Sequence, residues 1–161
     1  MTAAARSQAV SVVLVEQPYR VAGRRSPAPT RQLDAAWTAV IDQLRAGALD
    51  GLPLLVGGRS LGARVACRTA AATAAVGVLC LAFPLQPPRR AGKVATPSRL
   101  PELDGVAVPT LVVQGAHDRF GIPPPTPLRT VVRVPGDHGL RTDLEAVAAA
   151  VRGWLPGVLR G

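Results

Sequence analysis

Ser60, Asp118 and His138 are three side chains of the types that acyl transfer requires, and each follows a short apolar run. Ser60 is the centre of Gly58-Arg59-Ser60-Leu61-Gly62, behind the apolar run Pro53-Leu54-Leu55-Val56-Gly57 and ahead of an alanine-rich stretch. That context predicts a buried strand turning sharply into a helix, with the serine in strained backbone angles and its hydroxyl presented at the carboxyl edge of a sheet. The two outer glycines leave room for strand and helix to pass. The helix N-terminus places a partial positive charge where an oxyanion would develop. A serine hydroxyl is a poor nucleophile until a neutral imidazole accepts its proton. The imidazole in turn needs a carboxylate on its other nitrogen, which fixes the tautomer and stabilises the imidazolium. His138, in Pro135-Gly136-Asp137-His138-Gly139, and Asp118, in Gln114-Gly115-Ala116-His117-Asp118, are candidates for those two parts.

Each residue also has a purely structural reading. Ser60 is a good helix cap, and Asp118 suits an Asx-turn in a glycine loop. Asp137 competes with Asp118 for the acid position, although adjacent side chains on a strand-to-loop turn diverge. His117 is the only other histidine and reads as a loop residue pointing away. The three candidates are stronger together than singly, because all fall after apolar runs in one chain order.

The elements that must position them alternate. Ser11–Val15 reads as a buried strand, and Gln17–Thr30 as a Pro/Arg/Ser loop. An amphipathic helix is expected over about Arg31–Ala46, with Leu33, Trp37, Val40, Ile41 and Leu44 on one stripe. Strand Leu54–Val56 leads through the serine turn into a helix over about Leu61–Ala72, and Val76–Phe83 is a further buried strand. Pro84–Leu100 has no periodicity and is expected to be a lid-like loop over the carboxyl edge, mobile over Pro87–Arg99, followed by a short helical segment near Pro101–Leu103. Strands Thr110–Val113 and Thr130–Val134 and a helix over about Thr142–Trp154 complete the pattern. Met1–Ala9 is expected to be irregular. Strands alternating with helices predict an α/β fold: a mostly parallel sheet of about five strands with helices on both faces, in one domain over 1–161.

Composition narrows the function classes. Aromatic residues make up only 3%, so the core must be built from Val, Leu and Ala. The formal charge of +9 would suggest a nucleic-acid partner, but the cations are scattered from Arg6 to Arg160 without a block, and Lys93 is the only lysine. That pattern argues against nucleic-acid binding. Cys67 and Cys80 read as buried thiols, and no Cys/His cluster suggests a metal. The run Ala9–Val15 ends at Glu16 without a cleavage pattern, and Ala63–Phe83 is interrupted by Arg64 and Arg68. No secretion signal or membrane span is expected, and a cytoplasmic location follows.

The order Ser, Asp, His and the stretches around it resemble the α/β-hydrolase superfamily, in particular the small bacterial branch similar to dienelactone hydrolases and to the testis-expressed, NSL-complex regulatory subunit-like proteins. The stretches that carry the resemblance are Val13 to Arg20, Gly57 to Arg64, Leu81 to Leu85, Val112 to Gly121 and Gly136 to His138. The serine turn and the Q-G-x-x-D-x-F-G stretch are its specific parts. The resemblance implies Ser60 as nucleophile, Asp118 as acid, His138 as base and the Leu61 backbone N–H as one oxyanion donor, with no cofactor and no metal. In the family an H-G-x-G-like loop ahead of the strand matching Ser11–Val15 supplies a second oxyanion N–H. Met1–Ala9 contains nothing like it, so that donor is not found and the chain is expected to lack the N-terminal strands. Without the intervening strand, Ser11–Val15 must either pair directly with Leu54–Val56 or leave a gap.

The reading is therefore a serine hydrolase that cleaves a small-molecule ester, thioester or amide through an acyl-enzyme at Ser60. The alternatives are a catalytically silent hydrolase-fold interaction module or a truncated, inactive fragment. The substrate and the oligomeric state are not legible.

Overall fold

A computed structural model describes residues 2–87 and 96–159. The expected strand–helix alternation is present from residue 30 onward. Helix α1 (Thr2–Arg6) and the single turn α2 (Pro18–Val21) precede helix α3 (Thr30–Arg45). Strand β1 (Leu55–Arg59) leads into α4 (Leu61–Thr69), and β2 (Gly77–Leu81) is followed by the short helix α5 (Leu100–Asp104). Strands β3 (Thr110–Gly115) and β4 (Arg129–Val134) and helix α6 (Leu144–Leu159) close the chain. The four strands form one sheet in the order β1-β2-β3-β4, and every pairing is parallel.

The central strands are covered on both faces and are apolar almost throughout, β3 being buried at every position, whereas the edge strand β4 exposes Thr130 and Arg133. Alternate residues point to opposite layers. Val56, Val78, Cys80 and Val112 pack with Ala63, Ala66 and Cys67 of α4 and with Leu103 of α5. Leu111, Val113 and Val134 face the other way, against Val147, Val151 and Leu155, which recur every fourth residue along α6. Trp37 of α3 covers α4 from outside. Ion pairs tie these helices together: Arg64 to Glu102 at 2.5 Å, and Arg68 to Asp34 at 2.6 Å and to Glu102 at 3.3 Å.

Two expectations fail near the N-terminus. Ser11–Val15 is not a strand, and the sheet has four strands among the described residues. Val13 is 47% exposed and Leu14 is 82% exposed, so the segment's apolar side chains are not core. The reason is pairing: a strand needs a neighbour for its backbone groups, and this segment has none. The outer edge of β1 carries no strand partner among the described residues. The second failure is Met1–Ala9, expected to be irregular; within it Thr2–Arg6 is helical, and α1 packs on α6 with Ala4 buried.

The strand expected over Val76–Phe83 ends at Leu81 because the chain kinks at Ala82, whose φ is 50°. Most of the stretch expected to be a mobile lid lies outside the described residues. Its two ends are anchored at the carboxyl edge: the Gln86 N–H donates to Phe120 O at 2.7 Å, and the Arg99 guanidinium donates to Pro84 O at 2.9 Å. Among the described residues no helix is long and apolar enough to cross a membrane, and no group of three His, Cys, Asp or Glu is placed to hold a metal.

Candidate active site

Ser60 is the single residue between β1 and α4, with φ 53° and ψ −110°. An L-residue pays for that conformation, and the strain is held from both sides. The Ser60 N–H continues the ladder to Leu81 O at 2.9 Å, and Ser60 O accepts the N–H of Arg64 at 3.3 Å to begin the helix. The backbone of Gly58 lies against that of Gly62; a Cβ on Gly58 would sit 2.5 Å from Gly62 C. The serine turn can close only because Gly58 has no side chain. Gly62 differs, since a Cβ there would meet nothing within 4 Å. Its backbone, not its lack of a side chain, is what the turn uses.

The loops after β3 and β4 are laced together in the same way. A Cβ on Gly115 would fall 2.3 Å from Asp137 O, so glycine permits the loops to cross. Ala116 N–H donates to Val134 O at 2.8 Å, and His117 N–H donates to Gly136 O at 2.9 Å. This crossing carries Asp118 and His138 to the carboxyl edge beside Ser60.

The structure brings the three predicted residues into one hydrogen-bonded chain. His138 Nε2 lies 2.9 Å from Ser60 Oγ, and His138 Nδ1 lies 2.8 Å from Asp118 Oδ2. A carboxylate can only accept, so Nδ1 bears the proton and Nε2 offers its lone pair to the serine hydroxyl. The Asp118 side chain has no solvent exposure, whereas the His138 side chain keeps 22%. The Phe120 ring lies 4.4 Å from the imidazole, centroid to centroid and tilted by 53°, and the Arg119 guanidinium carbon sits 5.0 Å from the centre of that same Phe120 ring. The Arg59 guanidinium donates to His138 O at 3.3 Å.

The candidate side chains differ in the partners they meet. Ser60 makes no side-chain capping bond to α4; its hydroxyl faces His138 instead. Asp118 does both things, since Oδ1 accepts the Phe120 N–H at 2.9 Å as a turn residue would while Oδ2 meets His138. Asp137 is spent on its own turn, accepting the Gly139 N–H at 2.7 Å. His117 is exposed. The Leu61 N–H stands at the first position of α4, where a helix leaves its N–H groups free. Cys67 and Cys80 are buried, with their sulfurs 3.4 Å apart across α4 and β2, away from this edge.

Sequence reasoning missed the parts that hold the aspartate. Gln114, fully buried, donates from Nε2 to Asp118 Oδ2 at 2.7 Å, and the Phe120 N–H holds the other oxygen. Both residues lie in the Q-G-x-x-D-x-F-G stretch, so the signal was present as a motif but not as roles.

A strand-elbow-helix serine with an Asp–His pair on neighbouring loops defines an α/β-hydrolase architecture, and the sequence matches the alpha/beta hydrolase domain family over residues 1–141. The chain belongs to that family. No curated protein matches it in sequence. Several solved structures share the fold. One is an α/β serine hydrolase without lid from Xanthomonas campestris, with TM-score 0.61 and 22% identity over 86% of this chain and 62% of that one. A second protein of the α/β-hydrolase superfamily from Xanthomonas campestris pv. campestris has TM-score 0.63 and 16% identity over 97% of this chain and 87% of that one. A thermophilic esterase from Thermogutta terrifontis has TM-score 0.61 and 17% identity over 83% and 74%. The chain thus spans 62% of the length of the first of these structures.

Proposed function

We propose that this chain is a serine hydrolase that cleaves an ester, thioester or amide of a small molecule through an acyl-enzyme at Ser60. The observation that carries the reading is the continuous chain from Ser60 Oγ through His138 to a fully buried Asp118. As Ser60 Oγ attacks the carbonyl carbon, its proton passes to His138 Nε2, and Asp118 stabilises the imidazolium through Nδ1–H. The carbonyl oxygen becomes an oxyanion beside the Leu61 N–H and the N-terminus of α4. His138 then returns the proton to the leaving alcohol, thiol or amine, which departs as the C–O, C–S or C–N bond breaks. Water, deprotonated by the same imidazole, releases the acid. This cycle uses no cofactor and no metal. Its place nearest the dienelactone hydrolase-like and testis-expressed hydrolase-like proteins, and a cytoplasmic location, belong to the same proposal.

A fluorophosphonate reagent tests it, because it is attacked only by an activated serine. The expected result is labelling of the wild type that disappears in Ser60→Ala and falls by about 10⁴ in Asp118→Asn, the size expected when the imidazole is held in the wrong tautomer. A folded wild type that does not label, or a Ser60→Ala variant that labels equally, would mean a catalytically silent member of the fold.

A further inference from the structure

We infer that Gln114 is a positioning residue for this site, a buried clamp that sets the Asp118 carboxylate for His138 and locks the exit of β2 to the exit of β3. The inference rests on the proposed hydrolase reading for its kinetic consequences and on geometry alone for the clamp itself. Gln114 is the last residue but one of β3 and has no exposed surface. Its Oε1 accepts the Phe83 N–H at 2.9 Å. Its Nε2 faces three acceptors: Asp118 Oδ2 at 2.7 Å, Phe83 O at 3.0 Å and Gly121 O at 3.0 Å. The amide orientation is therefore determined. Turned over, the oxygen would face three acceptors and the nitrogen a lone donor.

The clamp is needed because of the kink at Ala82. There β2 leaves the sheet, so the buried Phe83 N–H has no strand to pair with, while the Phe83 C=O already accepts the Leu85 N–H at 2.9 Å. The glutamine side chain takes the place of a strand neighbour: it accepts the Phe83 N–H and adds a second donor to the Phe83 C=O. Its remaining N–H reach goes to the carboxylate and to Gly121 O, on either side of the Phe120 turn. Asp118 then has donors from Gln114 on Oδ2 and from Phe120 on Oδ1 before His138 arrives, and no room for water. An acid that is held by two donors of its own loop presents Oδ2 in one direction. That direction selects the His138 ring orientation and so the line from Nε2 to Ser60.

The experiment compares Gln114→Met, which keeps the side-chain length but not its hydrogen bonds, with Gln114→Glu, which keeps an acceptor for the Phe83 N–H but sets a second carboxyl against Asp118. Both should lose about 10–100-fold in kcat on a p-nitrophenyl ester, the range for one hydrogen bond to a charged group. KM should be nearly unchanged, since Gln114 is buried away from substrate. The far-downfield proton resonance of His138 Nδ1–H should weaken or move in both variants. In an Asp118→Asn background the Gln114→Met change should add little, because the group it positions has lost its charge. An equal factor in both backgrounds, or an unchanged His138 resonance and kcat in a folded Gln114→Met protein, overturns the inference. If neither variant folds, the side-chain amide protons of Gln114 are followed instead in wild type and Asp118→Asn. A shift on substitution supports the contact, and unmoved amide signals refute it. The two nuclear resonance readings need no turnover, so an inactive wild type would sink the hydrolase reading while leaving the clamp decided.

Discussion

The two glycines of the serine turn should respond oppositely to alanine. A Cβ at Gly58 would lie 2.5 Å from Gly62 C and 2.8 Å from both its Cα and O, well inside the 3.0 Å that real contacts respect. All three atoms are backbone, so no flexible side chain can yield. Either β1 or the first turn of α4 must shift, and overpacking of that kind costs about 1–3 kcal/mol, here at the upper end because the obstacle is main chain. For a chain of this size about 3 kcal/mol is about 6–12 °C in Tm. At Gly62 the added methyl meets nothing within 4 Å and the backbone is helical, so alanine mainly restricts the unfolded chain. That stabilises by about 0.4–1 kcal/mol, or about 1–4 °C. The assay is thermal melting of the two variants and the wild type under one buffer. A Gly62→Ala protein that melts as far below wild type as Gly58→Ala would refute the asymmetry, and with it the claim that Gly58 alone makes the space.

Ser60→Gly should melt about 2–4 °C above wild type while losing all fluorophosphonate labelling, because glycine adopts φ 53° without the cost of about 1–3 kcal/mol that a side chain carries there, less its own entropy loss. A lower Tm would show that the serine conformation is not strained. His117→Ala should label within about twofold of wild type, as an exposed loop residue outside the relay, and a loss like that of Asp118→Asn would reassign the site. Asp137→Ala should cost about 0.5–1.5 kcal/mol of stability through the lost Gly139 N–H bond, with the rate changed less than in Asp118→Asn. Cys67 and Cys80 should resist iodoacetamide in the native protein at pH 8: the hydrogen bond to Cys67 and burial push the Cys80 thiol well above its ordinary value, so thiolate is scarce as well as inaccessible. Alkylation of native protein as fast as of urea-unfolded protein would contradict that.

What the sequence discloses here is what is local. The serine turn is legible because strand, tight turn and helix must be encoded within a few residues, even though the bond from the Ser60 N–H to Leu81 O of β2 helps to hold it. The α3 stripe and the strands β2 and β3 are legible for the same reason, since a strand covered on both faces is an apolar run, and the edge strand β4 shows through Val131, Val132 and Val134 between the exposed Thr130 and Arg133. Ser11–Val15 has the same composition and is not a strand. Composition encodes the capacity to pair, whereas a strand exists only beside a partner, and β1 leaves its outer edge without one among the described residues.

Gln114 shows the complementary limit. From sequence Gln114 opens the loop after the strand expected over Thr110–Val113, yet it lies within β3, fully buried and satisfied through both ends of its amide. Nothing in its immediate neighbours announces this, because its partners Phe83, Asp118 and Gly121 come from two loops that meet only after the sheet has formed. The kink at Ala82 leaves the Phe83 N–H without a backbone partner, and leaving it unpaired would cost about 1–3 kcal/mol. A polar side chain at the facing position of β3 is then required by the fold itself. That it also reaches Asp118 ties the stability of the carboxyl edge to the geometry of the proposed acid, so a change that loosens one must misplace the other.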